Sequence, residues 1–293
     1  QDFIKQNEII KKQNIIFVNP VDFNKNLIHL KNKKKILITI DDAFLSFYKN
    51  AWPLLKKNKI PFILFVSTRE VGKFGYMSWD QIREVSRENF TFIGNHSHSH
   101  EYLIDENEDF ITKDLLKSIS ILKKELNLNP DFFSYPFGEY SLNFKKIVKA
   151  NGFKFAFGQH SGVIDETKDM LELPRFPINE KYGELKRFKT LVKTLPLKYK
   201  SIIPEEKYIN QETNPPAVKI KFFKNMYNIK SINCFSNEEN KWRASKIDFI
   251  REDEIEIKLS GKFTTERGRI NCSLRESNGS YRWLGMQFVI LEK

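Results

Sequence analysis

Between Lys35 and about Arg187 the chain repeats one pattern, a short and almost wholly apolar run followed by a stretch of helical periodicity. Strands that are apolar on both faces need cover on both, and parallel strands joined by helical crossovers provide it. The runs are Ile36–Ile40, Phe62–Val66, Phe90–Ile93, Phe132–Tyr135 and Phe153–Phe157. Between them, Ser78 and Gln81 predict a capping box at a helix start, and Ile111, Leu115, Ile119, Leu122 and Leu126 fall on one helical face. Gly152 predicts a helix end before the last run. The class is α/β.

The rest of the chain reads differently. Residues 193–217 carry Pro196, Pro204 and the pair Pro215-Pro216 and are expected to form a linker. Beyond them, the alternation Ile255-Glu256-Ile257-Lys258-Leu259, the apolar run Phe288–Ile290 and a turn at Ser277–Ser280 predict a small antiparallel β-sandwich-like domain over residues 218–293. Trp242, Tyr281 and Trp283 would give it a carbohydrate-binding face, and a purely structural role fits equally well. Residues 1–34 are expected to pack as an extension on the domain of residues 35–192. A chain of 293 residues accommodates this division.

Hydrophobic residues make up 40% of the chain, which excludes intrinsic disorder. The net charge, 49 − 37 = +12, suits an acidic polymer or association with an anionic envelope surface. Its lysines are scattered and no nucleic-acid motif occurs, so nucleic acid is not an expected partner. No run reaches the roughly 18 to 20 apolar residues that span a bilayer. The N-terminus, Gln1-Asp2-Phe3-Ile4, is neither Met-led nor a signal peptide, so a leader is expected to have been removed and the location to be periplasmic or secreted. Cys234 and Cys272 are then either one disulfide or two buried thiols. If joined, they close a loop of about 39 residues, for roughly 4 kcal/mol of stabilisation.

Two places carry chemistry, both at the C-terminal ends of predicted strands, where α/β folds build their sites. In Thr39-Ile40-Asp41-Asp42, adjacent carboxylates repel unless a cation or hydrogen bonds hold them. A metal ligand beside a general base accounts for the pair, and so does a solvated turn. In Gly94-Asn95-His96-Ser97-His98-Ser99-His100 stand three of the five histidines. His96 and His100, at spacing i, i+4, converge on one cation if the loop is helical, unless the loop is merely solvated. Two His and one Asp leave coordination positions open for water and substrate, as in a catalytic rather than a structural site.

Thr-x-Asp-Asp after a strand, followed about 54 residues later by His-Ser-x-x-His, resembles the polysaccharide deacetylases of the NodB-homology type, carbohydrate esterase family 4. The resemblance runs over roughly residues 15 to 190, through Trp52-Pro53, Pro61-Phe62, Trp79-Asp80 and Phe133–Gly138. It implies a distorted (β/α) barrel, an acetylated amino-sugar polysaccharide as substrate, and a metal-dependent hydrolysis that removes its acetyl groups. By position it makes Asp41 the general base, Asp42, His96 and His100 the metal ligands, and Ser97 a brace for the histidine loop. Tyr135, Pro136 and Phe137 fall in the groove-forming third motif and would bind substrate. Zn²⁺ is the default ion for these donors, with Co²⁺, Ni²⁺ or Fe²⁺ equally suited.

The chain departs from the family's commonest pattern at three points. Ser134 stands where many members carry Arg in the third motif, Ala43 stands where they carry Gly, and the terminal Leu-His motif is missing. Arg175 could replace the missing Arg by pairing with Asp41, or be a solvated surface residue. The proton donor to the leaving amine is open between His160, at a strand end, and His98, with a surface role the alternative for His160. An O-acetyl esterase and a catalytically weak carbohydrate-binding protein are the competing functions. A serine hydrolase is disfavoured, since no Gly-x-Ser-x-Gly occurs.

Overall fold

The structure, a computed structural model, describes residues 2–28 and 34–291. Five parallel strands, Ile38–Ile40, Phe62–Val66, Thr91–Asn95, Phe132–Ser134 and Phe155–Phe157, pair in chain order. Helices such as Trp52–Asn58, Trp79–Ser86, Glu108–Leu126 and Leu142–Ala150 lie between them. Ordered pairing with crossovers of one hand winds the sheet in one direction, and the result is a curled half-barrel. The Phe62–Val66 strand is buried throughout. Phe62, Leu64 and Val66 face the helices with Trp52, Leu55, Ile82 and Val85, while Ile63 and Phe65 face inward with Phe132, Phe155 and Phe157.

The N-terminal residues help fill that interior. Phe23 packs edge-on against Phe155 at 4.9 Å and Phe132 at 5.9 Å. Helix Asp2–Lys12 brings Ile10 against Phe188 and Val192, and Ile16–Phe17 pairs with Lys35–Ile36. The expected strand 36–40 is therefore two, its first residues drawn into this separate parallel pair. The capping box of Ser78 and Gln81 forms, and Gly152, at φ +89°, lets the chain turn after helix Leu142–Ala150.

The C-terminal region is built of further, largely antiparallel sheets. One contains Asn233–Ser236, Arg267–Arg275 and Tyr281–Ile290, and the other Val218–Lys221, Lys246–Arg251 and Glu254–Lys258. Their alternating residues enclose a core of Val218, Ile220, Ile255, Ile257, Ile270, Leu284 and Phe288. Cys234 and Cys272 face each other across the first sheet and are joined.

Residues 193–217 do not behave as a linker. Leu195–Pro196, Ser201–Ile203 and Tyr208–Ile209 add strands to these two sheets. Strands of two or three residues are too short to show a period of two, and prolines that tolerate an edge or a strand end disguised them. The first sheet also sits on the half-barrel. Leu284 bridges Gly162, Trp283 packs on Phe176, and Gly285 lies so close to the Ser161 backbone that a side chain there would clash.

The cysteine pair spans 38 residues, so replacing both by Ser is expected to lower stability by roughly 4 kcal/mol through the entropy of the unfolded chain. Denaturant unfolding monitored at the C-terminal tryptophans would register this. An unchanged midpoint would show that the loop is already restricted before folding.

Candidate active site

All the converging side chains lie at or just beyond C-terminal ends of the parallel strands. Strand Ile38–Ile40 delivers Asp41 and Asp42, and Asp42 and Ala43 then take left-handed backbone conformations, φ +70° and +54°. This reversal sends two adjacent carboxylates to different partners. Asp42 Oδ1 lies 3.4 Å from His96 Nε2 and 3.1 Å from His100 Nε2. Asp41 instead meets Arg175 Nη1 at 2.7 Å and Nη2 at 2.9 Å in a bidentate pair.

Every donor of Arg175 has an acceptor. Nε donates to the Gly158 carbonyl, Nη1 also to Thr39 Oγ1 and Nη2 also to Ser134 Oγ, while the guanidinium lies 5.8 Å from the centroids of both Phe65 and Phe157. Arg175, two residues beyond the parallel bridge of Leu173 to Phe157, thus reaches the small Ser134. Burial works against the charge on Asp41, but the Arg175 guanidinium outweighs it and holds the carboxyl below the usual carboxylate range. Burial likewise opposes the charge on Asp42, and the hydrogen bonds of His100 and His96 overcome it.

The histidine loop is not helical. Ser97 and His100 adopt φ +66° and +55°, and this folded-back backbone brings the two imidazoles to 4.8 Å between centroids. Buried polar groups hold it in place. Asn95 Oδ1 accepts from Ser97 N at 2.8 Å, and Asp114 accepts from His98 N at 2.7 Å and Ser99 N at 2.8 Å. Ser97 Oγ accepts from His100 N at 3.0 Å. His96 Nδ1 is 2.7 Å from the Ser134 carbonyl, which can only accept, so Nδ1 carries a proton and Nε2 is the nitrogen turned to Asp42. Burial disfavours a charged His96, yet the Asp42 and Asp41 carboxylates make the ring more basic than usual.

One ligand atom from each of Asp42, His96 and His100 lies within 4.8 Å of the others. Separations of 3.1 and 3.4 Å between oxygen and nitrogen match the roughly 3.0 to 3.4 Å that separate neighbouring ligands about 2.1 Å from a common ion. The residues therefore fit a divalent metal. Asn95 and Asp114 went unnoticed in the sequence, although Asp114 and Ser118 interrupt the apolar face of Ile111, Leu115 and Leu122. Buried polar residues on such a face were the available signal.

Other expected site residues lie elsewhere. Tyr135 is wholly buried, donating its hydroxyl to the Leu171 carbonyl, and Pro136 is buried too, so neither can face a sugar. Phe137 remains at the rim, held at φ +57°, 4.8 Å from the His100 ring and stacked on Tyr102 at 4.3 Å. His98 turns from the triad, with Nδ1 2.9 Å from Thr68 Oγ1. His160, expected as a proton donor, lines a small cavity between half-barrel and C-terminal sheets with Tyr140, Lys168, Lys207, Trp283 and Leu284. Burial, then Lys207, Lys168, Arg175 and Lys145, push it down to about 3, the neutral state.

Parallel strands curling into a half-barrel, with Asp, Asp, His and His at their ends, define a NodB-type deacetylase fold. Residues 30–156 match the polysaccharide deacetylase family. The poly-β-1,6-N-acetyl-D-glucosamine N-deacetylase of Staphylococcus aureus is 27% identical over 161 residues, covering 50% of this chain. That match spans 56% of the relative's own length. The enzyme of the same name from Staphylococcus epidermidis is 26% identical over 66% of this chain and 70% of its own. Among solved structures, IcaB from Ammonifex degensii aligns with a TM-score of 0.60 at 25% identity, over 65% of this chain and 88% of that one. The Streptococcus pyogenes deacetylase PplD, solved with acetate, aligns at 0.54 and 25%, over 58% and 76%. Arg175 and the C-terminal sheets lie outside the family match.

His160 gives the folded chain a pH dependence of definite sign. The unfolded chain binds a proton near 6.5 that the folded chain refuses until about 3. Stability is therefore full above about 6.5 and falls as pH drops below it, by up to about 1.4 kcal/mol per pH unit. Denaturation midpoints taken from about pH 7 to about pH 5 should fall less steeply in His160→Gln, and an equal slope in both proteins would contradict the assignment.

Proposed function

We propose that this chain is an exported, metal-dependent N-deacetylase that releases acetate from N-acetylhexosamine units of a polysaccharide. The observation that carries the reading is the division of the two carboxylates: Asp42 faces two imidazoles, and Asp41 is clamped by arginine and kept ionised. A site meant only to hold a cation has no use for the second arrangement.

Asp42, His96 and His100 would hold the ion, Zn²⁺ or another first-row divalent metal. When bound, it supplies Lewis acidity, polarising the acetyl carbonyl and making water more acidic. Asp41 takes the proton of the attacking water. Arg175, its N–H groups fully committed, keeps that carboxylate in one orientation and lets it give the proton up readily to the leaving amine. The neutral, inward-facing His160 is not needed for that transfer. Ser134 orients His96 through its carbonyl, and Asn95 and Asp114 keep the histidine loop in its folded-back shape.

The similarity to poly-β-1,6-N-acetyl-D-glucosamine N-deacetylases, together with the fold, supports a β-1,6-linked N-acetylglucosamine polymer as the substrate. Export is supported by the disulfide. Among the described residues no helix is long and apolar enough to cross a membrane.

Acetate release from N-acetylglucosamine oligomers by the Zn²⁺-loaded chain tests the reading. Release should vanish on chelation, return with metal, and fall about 10²-fold or more in Arg175→Met. Release that is indifferent to chelation would refute it. Asp114→Ala should weaken Zn²⁺ binding by about tenfold or more through the loosened loop, as read by competition with a chromophoric chelator. Unchanged affinity would remove that role from Asp114.

A further inference from the structure

Where the C-terminal sheets meet the half-barrel, one contact reaches the rim of the candidate site. Arg267, on strand Arg267–Arg275, pairs through Nε with Glu139, a residue only 3% exposed, in the turn that carries Phe137. Burial pushes the Glu139 carboxyl up, against the pull of Arg267. The guanidinium lies 5.4 Å over the Phe137 ring, whose face and edge meet Tyr102 and His100. A second tie joins the same two regions, since Tyr208 donates to Asp105, just beyond His100, at 2.7 Å. The sheets thus clasp both loops that form this rim.

A buried ion pair is a poor device for stability alone, because desolvation offsets most of the attraction. It is a good device for fixing a planar, multidentate donor. With Nε turned to Glu139, the Arg267 side chain remains 26% exposed, and the contact at its terminal nitrogens is the 3.9 Å one from Nη2 to Glu266.

We propose that Arg267 is a substrate-binding residue supplied by the C-terminal sheets. Its terminal N–H groups hold hydroxyl or acetamido oxygens of the sugar unit beside the one being deacetylated, and Glu139 is its positioning residue. The assignment rests on the deacetylase reading for its place in the reaction, and it is tested by binding as well as by turnover.

Arg267→Lys keeps a cation for Glu139 but loses the planar fork. Should it fold poorly, Glu139→Gln/Arg267→Gln removes the buried charge and keeps a hydrogen-bonding pair. In an Asp41→Asn background, which stops hydrolysis, calorimetric titration with an N-acetylglucosamine tetramer should show about tenfold weaker binding on replacement of Arg267. Binding of the monosaccharide and the Zn²⁺ content should stay unchanged. In the active chain KM for the tetramer should rise by a similar factor with kcat within about twofold. Equal tetramer affinity with and without Arg267, parallel losses for tetramer and monosaccharide, or no tetramer binding by the parent chain would overturn the assignment. A chain that releases no acetate, yet loses tetramer affinity with Arg267→Lys, would refute the deacetylase reading and leave this one standing.

Discussion

The bidentate contact between Arg175 and Asp41 is the constraint on which the rest of the site depends. Two adjacent carboxylates at one strand end would otherwise share a proton or compete for the same cation. A guanidinium with all its donors committed to Asp41, Thr39, Ser134 and Gly158 removes that ambiguity. One carboxylate is left to the histidines, and the other stays charged without being a ligand. The left-handed conformations at Asp42 and Ala43 are the backbone's part in this separation.

The fold supplies the remaining conditions. Curling the sheet gathers strand ends from distant parts of the chain, so Ser134 can orient His96 while also receiving Arg175. The C-terminal sheets are seated on the half-barrel through Leu284 and Gly285, and Arg267 reaches the turn that carries Phe137.

Much of this was legible in the residues. The apolar runs located all five parallel strands, because burial on both faces leaves a continuous signature, and the capping box at Ser78 marked a helix start. The two Asp and the three clustered His stood out by chemistry and spacing, as did Arg175 once Ser134 was seen in place of an arginine. What was hidden depends on backbone shape or on tertiary contact. The histidines meet through left-handed residues and not through helical spacing. Tyr135 looked like a sugar platform and is core, because alternation cannot say which side of a turn is buried. His160 lay at a strand end as a proton donor should, but the C-terminal sheets cover it. The strands within residues 193–217 were too short and too rich in proline to announce themselves.

The most direct measurement is metal stoichiometry and acetate release on Asp41→Asn and Asp42→Asn side by side. The account predicts that Asp41→Asn retains one metal ion per chain with near-parental affinity and releases no acetate, while Asp42→Asn loses the ion. Loss of metal from Asp41→Asn, or full retention in Asp42→Asn, would contradict the division of labour between the two carboxylates.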